Sequence, residues 1–210
     1  DIKLPKEIKN QRKYYLENLY DLLDLIVNMK LDNDFSLPLN KNIEEALKKI
    51  FKINYDYVGI APGAGEKNKI WPIQNYIEIC RYLETKDCKL VFYLGPNEKE
   101  YEGVLKSHFK KAIFLENELL LSNYSNIEII MTSTKFLKFA ISNDSGVSHM
   151  LSTNHCPLIK LFGPKDAKKF TPKIKNLITI SSSEVNSNRV EDIKVSRVIK
   201  ALENMKLINV

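Results

Sequence analysis

A chain of 210 residues has room for one sizeable domain, and its 44% hydrophobic and 28% charged content is that of an ordinary water-exposed globular protein. No apolar run approaches the ~20 residues needed to span a bilayer, and no hydrophobic signal segment opens the chain. The net charge of +6 suits an anionic partner, but lysine outnumbers arginine 28 to 4 and is spread along the chain rather than gathered in one stripe. Without a recognition motif or a basic stripe, that charge argues against a dedicated nucleic-acid surface.

Residues 5–30 read as an amphipathic helix, with Leu16, Leu19, Leu23, Ile26 and Val27 on one face. A second helix is expected near 42–52, with Ile43, Ala46, Leu47, Ile50 and Phe51 facing inward. Residues 1–56 thus form a helical lead-in, and residues 57–210 the domain proper. From Tyr57 the pattern changes to short apolar runs bounded by Gly, Pro, Asn or Asp, at 57–61, 90–94, 112–115, 139–142, 158–162 and 177–180. Helical patterns near 72–85, 97–109, 124–134, 145–153 and 196–206 separate and follow them. Strands alternating with helices through short connections predict an α/β, Rossmann-like, mostly parallel sheet with helices on both faces. Cys80, Cys88 and Cys156 are odd in number and lack metal-ligand spacing, so they read as buried thiols in a reducing compartment, the cytoplasm. The chain opens on Asp1 rather than Met, so its natural start is expected upstream.

Ligands of such sheets sit outside the carboxyl ends of the strands. Three loops expected there carry unusual residues. In Ala61-Pro-Gly-Ala-Gly-Glu-Lys-Asn-Lys-Ile-Trp-Pro72, Gly63 and Gly65 allow a tight turn beside Ala64. Its backbone N–H groups suit an anion, and Lys69 adds a positive charge. The loop is neither a Walker loop nor a G-x-G-x-x-G fingerprint, and taken alone two glycines and a lysine are most often a plain turn with a solvated charge. In Ser142-Asn-Asp-Ser-Gly-Val-Ser-His149, Asp144 or Ser145 caps a helix whose first N–H groups and dipole suit an anion. Gly146 lets a ligand approach and His149 lies in the first turn; the local sequence alone favours a simply capped helix with a packed histidine. In Leu94-Gly-Pro-Asn-Glu-Lys-Glu100, Glu98 either complements a helix dipole or accepts bonds from ribose hydroxyls. A fourth loop, Phe162-Gly-Pro-Lys-Asp166, should border the pocket.

Taken together, Pro-Gly-Ala leading to Lys-x-Trp-Pro, then Gly-Pro-x-Glu, Asp-Ser-Gly-x-x-His and Phe-Gly-Pro, in register from Tyr57 to Phe170, resemble the C-terminal domain of the ADP-heptose:lipopolysaccharide heptosyltransferases. The lead-in resembles that family's interdomain segment. Lys165 stands where the family commonly has Thr, a departure at the rim. The resemblance implies a two-domain GT-B enzyme that inverts configuration while moving a sugar, heptose from ADP-heptose, onto a lipopolysaccharide core, with no metal and no cofactor. It implies that Gly63, Ala64, Gly65 and Lys69 hold the diphosphate from one side, and Ser145 and Gly146 from the other. Asp144 would hold the sugar, Glu98 the ribose, and His149 either a phosphate or the loop itself. Lys69 and Asp144 are the residues expected at the reacting centre. The general base and the acceptor site are expected in an N-terminal domain outside this chain, and the resemblance allows a peripheral contact with the inner membrane. A nucleotide- or phosphosugar-binding module, and a glycosyltransferase using another donor such as a UDP-hexosamine, are the alternatives.

Overall fold

The computed structural model describes residues 39–171 and 176–208. The helix expected over 5–30 lies outside them. The chain forms helix α1 (Lys41–Ile50), then β1 (Tyr57–Ala61), α2 (Ile73–Thr85), β2 (Lys89–Phe92), α3 (Lys99–His108), β3 (Ile113–Phe114) and α4 (Asn126–Ser133). It continues through β4 (Leu137–Asn143), α5 (Gly146–Leu151), β5 (Leu158–Phe162), the single turn α6 (Ala167–Phe170), β6 (Leu177–Ser181) and α7 (Val195–Asn204).

All six strands are parallel and lie in the order β3-β2-β1-β4-β5-β6. This is the α/β Rossmann-like sheet that the strand–helix alternation predicts. Every residue of β1 and β5 is buried, because helices cover both faces. Side chains still alternate along the pleat. Val58 and Ile60 of β1 join Phe92, Ile141 and Leu161 in one core beneath α2, α3 and α7, closed by Leu83, Leu105 and Leu202. Tyr57 and Ala61 face the other way and join Val91, Ala140 and Leu158 beneath α1, α4 and α5. Ile43 and Leu47 of α1 are fully buried there, so this helix is part of the packed body. Cys80, Cys88 and Cys156 are free and buried. Among the described residues no helix is long and apolar enough to cross a membrane.

β2 runs over Lys89–Phe92 rather than 90–94, and β6 ends one residue late at Ser181; β4 and β3 also differ from the pattern, for local reasons. β4 starts two residues early, at Leu137, because Lys138 reaches from the strand's open end to Asp56 at 2.6 Å instead of interrupting it. It ends one residue late because Asn143, fully buried, belongs to the strand and bonds across the sheet. β3 shrinks to two residues and pairs only with β2 at the sheet's edge.

Asn143 ties the end of β4 to the loop that leaves β1. Its Oδ1 accepts from the Trp71 N–H at 3.2 Å and from the Tyr76 hydroxyl at 3.0 Å. Its Nδ2 donates to the Pro62 carbonyl at 2.6 Å, with the Gly63 carbonyl at 3.4 Å. Trp71 is fully buried, donates from Nε1 to the Ile193 carbonyl at 2.8 Å, and meets Tyr76 edge-on at 5.1 Å. Both ends of the 62–72 loop are therefore fixed to the body while its middle stays exposed. Leaving the buried Trp71 N–H, Tyr76 hydroxyl and Pro62 carbonyl without their shared partner costs on the order of 1–3 kcal/mol. Asn143→Ala should lower the urea midpoint by that equivalent at unchanged slope. An unaltered midpoint would show that the loop is held by Trp71 alone.

Candidate functional site

Strand order reverses between β1 and β4, so the loops leaving these two strands part and open a crevice at the carboxyl edge. The 62–72 loop forms one wall. Its short 3-10 turn, Lys67–Lys69, is closed by the Lys69 N–H bonding to the Glu66 carbonyl at 3.0 Å, which turns the Lys69 side chain inward. Lys69 Nζ lies 2.9 Å from Glu66 Oε1 and 3.5 Å from Asp144 Oδ2. Opposite, Asp144 is 8% exposed and its other oxygen, Oδ1, meets Lys160 Nζ at 2.8 Å. One carboxylate thus sits between two ammonium groups that come from different elements.

Ser145 caps α5 and Asp144 does not. Ser145 Oγ accepts from the Ser148 N–H and Ser148 Oγ from the Ser145 N–H, both at 3.4 Å. This reciprocal pairing occupies the Ser145 amide. The side-chain position at Gly146 has no atom within 4 Å, and neither has that at Gly65, so both backbones border open space.

Glu98 ends the turn after β2 and is 8% exposed. A side chain at Gly63 would come within 2.3 Å of Glu98 Oε1, and one at Gly95 within 2.5 Å of Oε2. The two glycines make the slot in which the carboxylate lies, and this joins the first and third loops. Among the described residues the Glu98 carboxylate makes no hydrogen bond or ion pair, although the residue is nearly enclosed. The 163–166 loop borders an open groove of about 520 Å³ shared with Ser181 and Glu184, and Lys165 Nζ lies 3.7 Å from Glu66 Oε2.

The charges follow from this arrangement. Partial burial opposes the charge on Lys69, but Glu66 and Asp144 together outweigh it and hold its pKa above the ordinary lysine value. Burial dominates at Lys160 and lowers its pKa; Asp144 opposes that shift and the Lys69 charge adds to it. Glu66 is held below the usual carboxylate range, chiefly by its bond to Lys69. His149 has an exposed edge, yet the protein packed around its ring lowers its pKa, the Lys160 charge lowers it further, and Asp144 opposes both.

The sequence-predicted residues therefore meet in two groups: Gly63 with Glu98, and Lys69 with Asp144. Ala64, Gly65, Ser145, Gly146 and His149 line the same edge. Sequence reasoning missed Asn143, Glu66 and Lys160. Lys160 had a readable signal, a lone lysine inside an apolar run, which a central strand can bury only if it finds a partner. Among the described residues no cluster of three or more His, Cys, Asp or Glu side chains is placed to hold a metal ion.

Comparison with known proteins decides the family. The model of glycosyltransferase family 9 (heptosyltransferase) matches residues 5–198.

The chain belongs to glycosyltransferase family 9.

Lipopolysaccharide heptosyltransferase 1 of Campylobacter coli is 26% identical over 159 residues, which cover 71% of this chain and 46% of that protein. The chain thus spans about half the length of the curated relative it matches. A family 9 glycosyltransferase of Veillonella parvula shares the fold with a TM-score of 0.80 at 15% identity, over 98% of this chain and 62% of that one. The E. coli heptosyltransferase WaaC, solved with ADP, superposes with a TM-score of 0.69 at 17% identity, over 93% of this chain and 57% of that one.

In this family 9 chain His149 should titrate below the ordinary histidine value of 6.5. The unfolded chain then takes the proton first, so this residue removes stability as pH falls through the ordinary value and is neutral at pH 7. A proton NMR titration of the His149 ring checks the shift; a midpoint above 6.5 would mean that Asp144 outweighs the burial and the Lys160 charge.

Proposed function

We propose that this chain is the donor-binding half of a glycosyltransferase that moves heptose from ADP-heptose onto a lipopolysaccharide core, with inversion and without a metal. The observation that carries the proposal is the meeting of Lys69, Asp144, Glu98 and the Gly63–Gly65 turn at one switch-point crevice. Relatives of this fold support the choice of ligand: one E. coli structure holds ADP and another ADP-2-deoxy-2-fluoro heptose. Family membership supports the reaction class.

The chemistry follows from where charge develops. As the sugar–phosphate bond breaks, negative charge grows on the departing diphosphate, and a fixed cation aimed at it lowers the barrier. Lys69, leaving the exposed Glu66, is that cation, and the Gly146 end of α5 faces it across the crevice. Lysine charge there takes the part a divalent ion plays elsewhere. Each Asp144 oxygen meets one lysine but keeps a second lone pair, enough to accept a sugar hydroxyl. Glu98, enclosed and without a partner, accepts the ribose hydroxyls. A neutral His149 acts as a hydrogen-bonding partner of the donor or of its own loop, not as a second cation.

The acceptor and the general base belong, on this reading, to an N-terminal domain outside residues 1–210, and the donor domain includes α1, which packs into its core. The whole enzyme would work in the cytoplasm, against the inner membrane where its lipid-linked acceptor lies.

Titration calorimetry with ADP and UDP tests the site. Lys69→Met should weaken ADP binding about tenfold or more, the scale of one charge-assisted contact, with little change in folding stability, because Asp144 keeps Lys160. Equal affinity of both forms would leave Lys69 a solvated charge. The isolated chain should bind ADP but transfer no sugar, since holding donor and acceptor together accounts for ~7–11 kcal/mol of such a barrier. Turnover by residues 1–210 alone would place the base within them.

A further inference from the structure

Lys160 is the one charged group of the crevice that does not come from a loop. It stands in the middle of β5, paired in register with Ser142 of β4, and is 1% exposed. Its Nζ donates to Asp144 Oδ1 at 2.8 Å and to the Phe170 carbonyl of α6 at 3.3 Å, and it lies 4.8 Å above the Phe162 ring. Its N–H groups are thus already directed at protein groups. The Asp144 backbone is fixed as well, its N–H bonding to the Leu161 carbonyl at 3.0 Å. This cation–carboxylate pair joins the middle of β5 to the residue that follows β4.

Lys69 differs in every respect. It rises from an exposed turn, lies 3.5 Å from Asp144, and has its nearer contact with Glu66, whose side chain is 48% exposed. Asp144 therefore draws its main charge compensation from Lys160 and only a minor share from Lys69.

We infer that Lys160 is a positioning residue: it is the standing counter-ion of Asp144, and by satisfying that carboxylate it leaves Lys69 free to exchange Glu66 for the diphosphate of the donor. The inference rests on reading the crevice as a nucleotide-diphosphate site. Its physical basis is that a nearly buried carboxylate must be paired. Without Lys160, Lys69 is the cation within reach of Asp144, since Lys165 contacts Glu66 instead and His149 is biased toward its neutral form. Lys69 would then close on Asp144, and an incoming diphosphate would have to break that pair before binding.

Calorimetric titration with ADP, which lacks the sugar and so does not need Asp144 as a sugar ligand, separates this role from simple packing. Lys160→Met keeps the length and apolar stem of the side chain. It should weaken ADP binding on the order of tenfold, a typical coupling within a charge network. Adding Asp144→Asn removes the carboxylate that captures Lys69 and should return affinity to within about threefold of the unaltered chain. A merely structural role predicts that the double variant binds as weakly as the single one, and that result would overturn the inference. Should Lys160→Met not fold, the lysine Nζ resonances of the unaltered chain are followed as ADP is added. Lys69 should shift while Lys160 stays in place; a Lys160 shift as large as that of Lys69 would make it a direct phosphate ligand and overturn the positioning role. Failure of the unaltered chain to bind ADP would overturn the nucleotide reading and the inference with it, whereas binding unaffected by Lys160→Met would overturn the inference alone.

Discussion

The amide side chain of Asn143 is the point on which the crevice depends. Where β1 and β4 diverge, the polar groups of the departing loop no longer have a neighbouring strand to bond, and they lie too deep for water. Asn143 supplies two donors and an acceptor at that position and uses them on Pro62, Trp71 and Tyr76. A carboxylate could not donate, and a hydroxyl is too short to bridge the same groups. With both ends of the 62–72 loop fixed in this way, Lys69 is aimed across the crevice at Asp144 and Gly63 lies against Glu98. The geometry of the charged groups is thus set by a neutral one.

Above that latch, electrostatics divides the lysines into one that is committed and one that is exchangeable. Lys160 is compensated inside the sheet, at the cost of burying an ammonium, and its lowered pKa records that cost. Lys69 has its raised pKa from carboxylates it can give up, Glu66 above all. On the proposed reading, an anion with two phosphates takes the place of Glu66 beside Lys69. Glu98 lies at the other end, where two glycines leave room for its carboxylate and the described residues give that carboxylate no hydrogen-bond partner.

Much of this was legible in the sequence, for identifiable reasons. Strand–helix alternation is a strong signal because parallel strands are buried on both faces, and it located all six strands. Loops at strand ends are short and bounded by glycine and proline, so Gly63, Lys69, Glu98 and Asp144 stood out before any coordinates. Lys138 and Asn143 blurred the ends of β4 because polar residues at strand termini look like loop when their partners, Asp56 and Trp71, are far away in sequence. Lys160 was passed over because a strand was identified by its apolar neighbours, and its partner is set by the register of β5 on β4, which no local pattern encodes. Glu66 carries no motif of its own in the 61–72 loop; only the fold of the loop shows that it holds both Lys69 and Lys165.

A crystal structure of this chain with ADP tests the central claim most directly. The account predicts the diphosphate in the crevice between β1 and β4, with a phosphate oxygen about 2.8 Å from Lys69 Nζ in place of Glu66. Glu98 should accept the ribose hydroxyls, and Asp144 should still be held by Lys160. ADP bound elsewhere, for example in the groove beside Ser181 and Glu184, with Lys69 still paired to Glu66, would contradict it.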